Sequence, residues 1–118
     1  ILTVDDSKLA LTVLERAIGR VIDGKYKVIK AYNGAEAVLK YKEFSPDICF
    51  TDLTMPLLDG HGMIEQIMKY DKNANIIVLS ADVQKTTKAR ALNNGASRFT
   101  TKPIEDEELV EILNNLRK

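Results

Sequence analysis

Three carboxylates, a hydroxyl and a lysine each close a short run that reads as a strand. Asp5 and Asp6 follow Ile1–Val4, Asp52 follows Ile48–Thr51, Ser80 follows Ile76–Leu79, and Lys102 follows Arg98–Thr101. Runs of four residues lying between helical stretches fit buried strands of a parallel sheet. In such a sheet all strands end on one edge, so these five side chains converge on one crevice. That convergence constrains the fold and points to a metal-dependent site.

The segments between the runs carry helical spacing. After Ser7, a helix cap by residue type, apolar positions recur at Ala10, Val13, Leu14, Ala17, Ile18 and Val21, and Gly24 closes the segment. Tyr26–Ala31 alternates roughly and reads as a second strand, Asn33-Gly34 as a turn, and Ala37, Val38 and Tyr41 as a short second helix. Pro46 breaks the chain ahead of the run ending at Asp52. Pro56 and Asp59-Gly60 bracket a loop, and Met63, Ile64, Ile67 and Met68 mark a third helical face, its methionines read as core rather than ligands. From Asp82 to Asn94 the pattern is weak and predicts a helix of low intrinsic stability, ended by Asn94-Gly95. Leu109, Ile112, Leu113 and Leu116 define a last helix, acidic at its start (Glu105–Glu108) and basic at its end (Arg117, Lys118), as the helix dipole favours. Strand and helix thus alternate five times. The pattern predicts an α/β fold, a central parallel sheet with helices on both faces and right-handed crossovers.

Length and charge exclude several alternatives. The 118 residues suit a single domain spanning 1–118, with 45% hydrophobic residues, enough for a real core and too many for a disordered chain. Seventeen basic and 17 acidic residues balance to zero, which argues against direct nucleic-acid binding, since phosphate backbones need a basic surface. No apolar run is long enough to span a bilayer. Cys49 is the single cysteine, so no intramolecular disulfide is possible; the composition fits a reducing, cytoplasmic setting, with Cys49 as a small core residue. The chain opens inside a strand-like run without a methionine, which suggests that residues precede Ile1.

The chemistry of the crevice follows from charge. Asp5, Asp6 and Asp52 together repel unless a proton or a cation intervenes. A hard divalent cation is the natural remedy, and Mg2+, which takes a few carboxylate oxygens plus waters and readily binds phosphate, suits a small acidic crevice. Helix capping by Asp5 or Asp6 is the structural alternative, but it leaves Asp52 at the end of a different strand unexplained. Lys102, directly before Pro103, reads as a fixed cation facing an anion, against the common solvated lysine; the Lys-Pro bond is open to either isomer. Ser80 can cap the next helix or donate to a phosphoryl oxygen. His61, alone in the loop after Asp59-Gly60, reads as a solvated loop residue.

Val4-Asp5-Asp6-Ser7, the stretch Asp52-Leu53-Thr54-Met55-Pro56-Leu57-Leu58-Asp59-Gly60, Leu79-Ser80-Ala81 and Thr101-Lys102-Pro103 together resemble the receiver domain of bacterial response regulators, and in particular single-domain chemotaxis-type regulators. The resemblance runs the whole chain. It implies the flavodoxin-like strand order 2-1-3-4-5, a doubly wound arrangement in which ligands meet the carboxyl edge. It also implies site roles: Asp52 as phosphoacceptor, taking a phosphoryl group from a phosphohistidine; Asp6 and Asp52 as direct Mg2+ ligands, Asp5 acting largely through water, and the Thr54 carbonyl completing the set; Lys102 balancing charge on the acyl phosphate; and Ser80 and Phe99 as switch residues. Thr54 and Asp82 take positions that in the family tune dephosphorylation. A tyrosine is common where Phe99 stands, and without a hydroxyl Phe99 makes no hydrogen bond in either rotamer.

The implied function is a signalling domain of a two-component system, not an enzyme, that assists its own phosphorylation and slow dephosphorylation. The implied partners are a sensor histidine kinase or histidine phosphotransfer protein, and a downstream protein met by the Asp82–Asn94 helix, last strand and last helix. The domain would be a monomer or a phosphorylation-dependent dimer, without membrane contact. The competing reading is a receiver-like interaction module that works without phosphorylation, though the intact set of five site residues speaks against it. A phosphatase is disfavoured because Asp52-Leu53-Thr54 lacks a second acid, and a nucleotide-binding enzyme because no glycine-rich loop follows the first run.

Overall fold

The computed structural model describes residues 1–55, 57–82 and 84–116. Five strands and five helices alternate: β1 Leu2–Val4, α1 Lys8–Val21, β2 Ile29–Ala31, α2 Gly34–Phe44, β3 Cys49–Thr51, α3 Gly60–Tyr70, β4 Ile76–Ser80, α4 Lys85–Asn93, β5 Arg98–Thr101 and α5 Asp106–Asn115. The sheet is parallel throughout in the order β2-β1-β3-β4-β5. This is the flavodoxin-like order the resemblance implied. Winding reverses between β1 and β3, so Asp5 and Asp52 sit at the switch point, where a crevice opens above the sheet edge.

Strand periodicity sorts the core into two layers. Cys49, Ile76 and Val78 face a cluster with Val38, Met63, Ile64 and Ile67 from α2 and α3, and Ala91 from α4. Phe50, Ile77 and Leu79 face the other way, against Leu14 and Ile18 of α1 and Leu109 and Ile112 of α5. Both faces are therefore covered, and burial on both sides explains why β3 and β4 read as continuous runs rather than alternating ones.

Several local expectations need correction. On α1 the buried stripe is Leu11, Leu14, Ala17 and Ile18; Val13 is 49% exposed. The second strand is only Ile29–Ala31, because this edge strand has one neighbour and the register Leu2↔Ile29 to Val4↔Ala31 uses all of β1. Asn33-Gly34 is no free turn. Asn33 caps α2, its Oδ1 accepting from Glu36 N at 2.8 Å, and Gly34 begins the helix. The weak fourth helix starts at Lys85 and buries only Ala91, while Gly95, at φ 117°, ends it. The acidic first turn of α5 (Asp106, Glu107, Glu108) is present; Pro56 and the basic Arg117 and Lys118 lie outside the described residues. No described helix is long and apolar enough to cross a membrane.

Two glycines tie the β3–α3 loop to the sheet edge. A Cβ on Gly34 would stand 2.0 Å from the Leu58 carbonyl oxygen, which accepts from Gly34 N at 3.0 Å. A Cβ on Gly60 would stand 2.5 Å from the Asp52 carbonyl oxygen, and Gly60 N donates to Leu53 O at 2.9 Å. Asp59 caps α3 by accepting from Gly62 N at 2.9 Å. The Asp59-Gly60 pair thus returns the chain directly beneath Asp52.

Candidate functional site

The sheet ladder itself positions the site residues. Asp5 N donates to Ala31 O at 3.1 Å, Asp52 N to Val4 O at 3.0 Å and Lys102 N to Ser80 O at 3.0 Å, so each residue is held by a backbone bond one step beyond its strand. Asp5 is buried. Its Oδ1 accepts from Ser7 N at 2.9 Å and its Oδ2 from Lys102 Nζ at 2.6 Å. Asp52 Oδ1 accepts from Leu53 N at 2.8 Å, and its Oδ2 lies 3.4 Å from the same Lys102 Nζ. Ser7, not an aspartate, caps α1, accepting from Ala10 N at 3.2 Å. Lys102 joins Pro103 through a cis peptide bond.

One carboxylate oxygen from each of Asp5, Asp6 and Asp52 lies within 4.8 Å of the others. Among the described residues one ammonium, that of Lys102, pairs with Asp5 and Asp52, so the three acids outnumber it by two. Asp6 is exposed and makes no hydrogen bond or ion pair among the described residues. Burial works against the Lys102 charge, but the hydrogen bond to Asp5 and the field of Asp52 outweigh it and hold its pKa above the ordinary lysine value. Converging hard oxygen donors with excess negative charge and an open side fit Mg2+.

Ser80 is buried at the end of β4, and its Oγ accepts from Asp82 N at 3.0 Å. It faces a neighbouring cavity of about 330 Å³, shared with Thr54, Asp59, His61, Asp82 and Thr87. Thr54 is exposed on that cavity, two residues past Asp52. Phe99, opposite Val78 in the β4–β5 register, is half-buried against the α2–α3 core. His61 is not a solvated loop residue. It is the second residue of α3, 8% exposed, with Nδ1 unpartnered among the described residues. Burial, then the Arg90 charge, depress its pKa, and Asp59 and Glu65 oppose them in part.

Other features escaped the sequence reading. An apolar groove of about 590 Å³ runs from Asp5, Asp52 and Lys102 along Leu9, Val13 and Ile104; the exposed leucine and valine one turn apart on α1 were its only signal. Arg98 of β5 pairs with Glu108 and Glu111 of α5, and Thr100 donates to Glu108. Asp82 binds Thr87 and Gln84. The Arg98 and Thr100 pairs join elements whose adjacency appears only in the fold, whereas the Asp82 bonds are local to the β4–α4 turn.

Sequence and structure comparisons agree with this geometry. The sequence model of the response regulator receiver domain matches residues 1–114. Chemotaxis protein CheY of Thermotoga maritima is 42% identical over 100% of this chain and 97% of its own length. CheY of Bacillus subtilis is 38% identical over 97% of this chain and 93% of its own. Among solved structures, a CheX–CheY–BeF3–Mg2+ complex from Borrelia burgdorferi superposes with a TM-score of 0.86, at 32% identity over 99% of this chain and 87% of that one. With strand order, acidic crevice and sequence all concordant, the chain belongs to the response regulator receiver domain family.

Proposed function

We propose that this chain is a single receiver unit that takes a phosphoryl group from a phosphohistidine onto Asp52. The observation that carries the proposal is the Lys102 ammonium set between Asp5, at 2.6 Å, and Asp52, at 3.4 Å, beside a three-carboxylate cluster. Asp52 Oδ2 attacks phosphorus, the phosphorus–nitrogen bond to the donor imidazole breaks, and the imidazole leaves with the electron pair. Phosphoryl transfer of this kind needs mainly positioning and cations where charge spreads. Asp6, Asp52 and the Thr54 carbonyl, with Asp5 acting largely through water, would hold Mg2+, which would supply charge neutralisation at the phosphoryl oxygens. Lys102 takes up the charge of the resulting acyl phosphate, and Asp5, fixed by Ser7 N, keeps Lys102 aimed at it. The same groups support a slow return of the phosphoryl group to water.

Ser80 then reports the modification. Its Oγ accepts from a backbone N–H, so its own proton is free to donate to a phosphoryl oxygen. Movement of Ser80 and of Phe99 on the adjacent strand changes the face made by α4, β5 and α5, where a downstream protein binds. The donor is a sensor histidine kinase or a histidine phosphotransfer protein, the setting is cytoplasmic, and the domain works as a monomer or as a dimer formed on phosphorylation. Incubation with acetyl phosphate and Mg2+, followed by intact-mass measurement, tests the acceptor. The expected result is one added phosphoryl group, lost with EDTA and in Asp52→Asn; stoichiometric uptake by Asp52→Asn would overturn the assignment.

A further inference from the structure

The N-terminus of α4 has no cap of its own. Gln84 occupies the cap position and its side chain accepts no hydrogen bond from the helix. Asp82, two residues upstream, braces the first turn instead of capping it: its Oδ1 accepts from Gln84 N at 2.9 Å and its Oδ2 from the Thr87 hydroxyl at 3.0 Å. The same residue's backbone N–H donates to Ser80 Oγ at 3.0 Å. One residue therefore links the hydroxyl at the crevice to the first turn of α4. That helix is loosely held, since Ala91 is its only buried residue.

We propose that Asp82 is a positioning residue, a latch that fixes Ser80 and the start of α4 together in the unmodified protein and lets go of α4 when Asp52 is modified. This rests on the phosphoacceptor reading above. Two physical effects open the latch. Ser80, drawn toward the crevice to donate to the new oxygens, pulls away from the Asp82 N–H. The added negative charge, beside Ser80, repels the Asp82 carboxylate, which lines one cavity with Ser80 and the like-charged Asp59. Release leaves the Gln84 N–H and the Thr87 hydroxyl without their acceptor and unties the first turn of α4 from the end of β4, so α4 frays from there. The phosphoryl signal thereby reaches the α4 surface through one carboxylate and not through shifts among the buried apolar side chains alone.

Amide hydrogen exchange at Lys88, Ala89 and Arg90 reads the latch. In the metal-free protein, Asp82→Ala and Thr87→Val should each speed exchange about three- to tenfold. Asp82→Asn should restore slow exchange, because an amide can accept from Gln84 N and donate to Thr87 Oγ1. With Mg2+ and beryllofluoride as phosphoryl mimic, wild-type α4 should accelerate to the Asp82→Ala rate. Asp82→Ala should show no further change, and Asp82→Asn, which keeps the backbone link to Ser80 but lacks the charge, should accelerate less than wild type. Unchanged exchange in Thr87→Val would overturn the latch, as would equal beryllofluoride responses in wild type and Asp82→Asn. Absence of any beryllofluoride effect around Asp52 would instead remove the phosphoacceptor reading and the coupling with it, while the metal-free comparison still decides the latch itself.

Discussion

Replacing Asp52 by asparagine in the metal-free protein removes one negative charge from a crowded corner, and the distances set what this does to stability. Carboxylate oxygens of Asp5 and Asp6 lie within 4.8 Å of one on Asp52. At an effective dielectric of about 20, each such pair repels by about 3.5 kcal/mol or more. Against this stands the attraction to Lys102 Nζ at 3.4 Å, about 5 kcal/mol on the same scale. The repulsions exceed the attraction by about 2 kcal/mol. Solvent trims every term, because Asp6 and Lys102 both reach water, and leaves about 1 kcal/mol in favour of the neutral residue. The substituted asparagine is isosteric with the aspartate and its side-chain oxygen still accepts from Leu53 N, so no packing loss offsets the gain. Urea unfolding followed by circular dichroism in EDTA should therefore place the Asp52→Asn midpoint above wild type by roughly 0.5 M. Mg2+ at ten times its Kd should add about 1.4 kcal/mol to wild type and markedly less to the variant, cancelling or reversing the difference. A variant less stable than wild type in EDTA, with the same response to Mg2+, would refute the electrostatic account of this site.

Three further outcomes follow from other parts of the fold. Gly34→Ala should destabilise by about 3 kcal/mol or more in the same urea assay, since its Cβ has only 2.0 Å to the Leu58 carbonyl and the β3–α3 loop must move; a midpoint near wild type would show the loop to be free to yield. His61 has a folded-state pKa below its ordinary value, so the unfolded chain takes up protons first: stability is full above about pH 6.5 and is lost as pH falls from there through the folded pKa. His61→Leu should flatten that part of the decline below about pH 6.5, and a slope identical to wild type would refute it. Burial pushes the Cys49 thiol up to about 12, so iodoacetamide at about pH 8 should label it only when urea unfolds the protein; prompt labelling of the native state would contradict its burial.

The crevice was legible because its members sit at strand ends, where a parallel sheet turns sequence position directly into spatial position. Asp5, Asp52, Ser80 and Lys102 could be placed on one edge with no knowledge of side-chain contacts. What lay beyond the pattern depended on neighbours. His61 was misread because Asp59-Gly60 suggests a loop, whereas Asp59 is a cap and the helix begins at Gly60, turning His61 inward. Asn33-Gly34 carries the signature of a turn, yet its glycine is required by the close approach of Leu58, far along the chain. Edge strand β2 lost half its expected length to the register of β1. The Arg98–Glu108 pair needed α5 brought beside β5 before either partner had meaning. Val13 shows the same limit within a single helix, since spacing alone did not settle which side of the apolar arc would be covered.

The central claim is that side chains from the ends of four strands act on one phosphoryl group. Amide chemical shifts recorded before and after addition of Mg2+ and beryllofluoride test it most directly. Shifts should concentrate at Asp5–Ser7, Asp52–Thr54, Ser80–Asp82 and Phe99–Lys102, and all of them should vanish in Asp52→Asn. Shifts that spare Ser80 and Lys102, or that persist in Asp52→Asn, would contradict it.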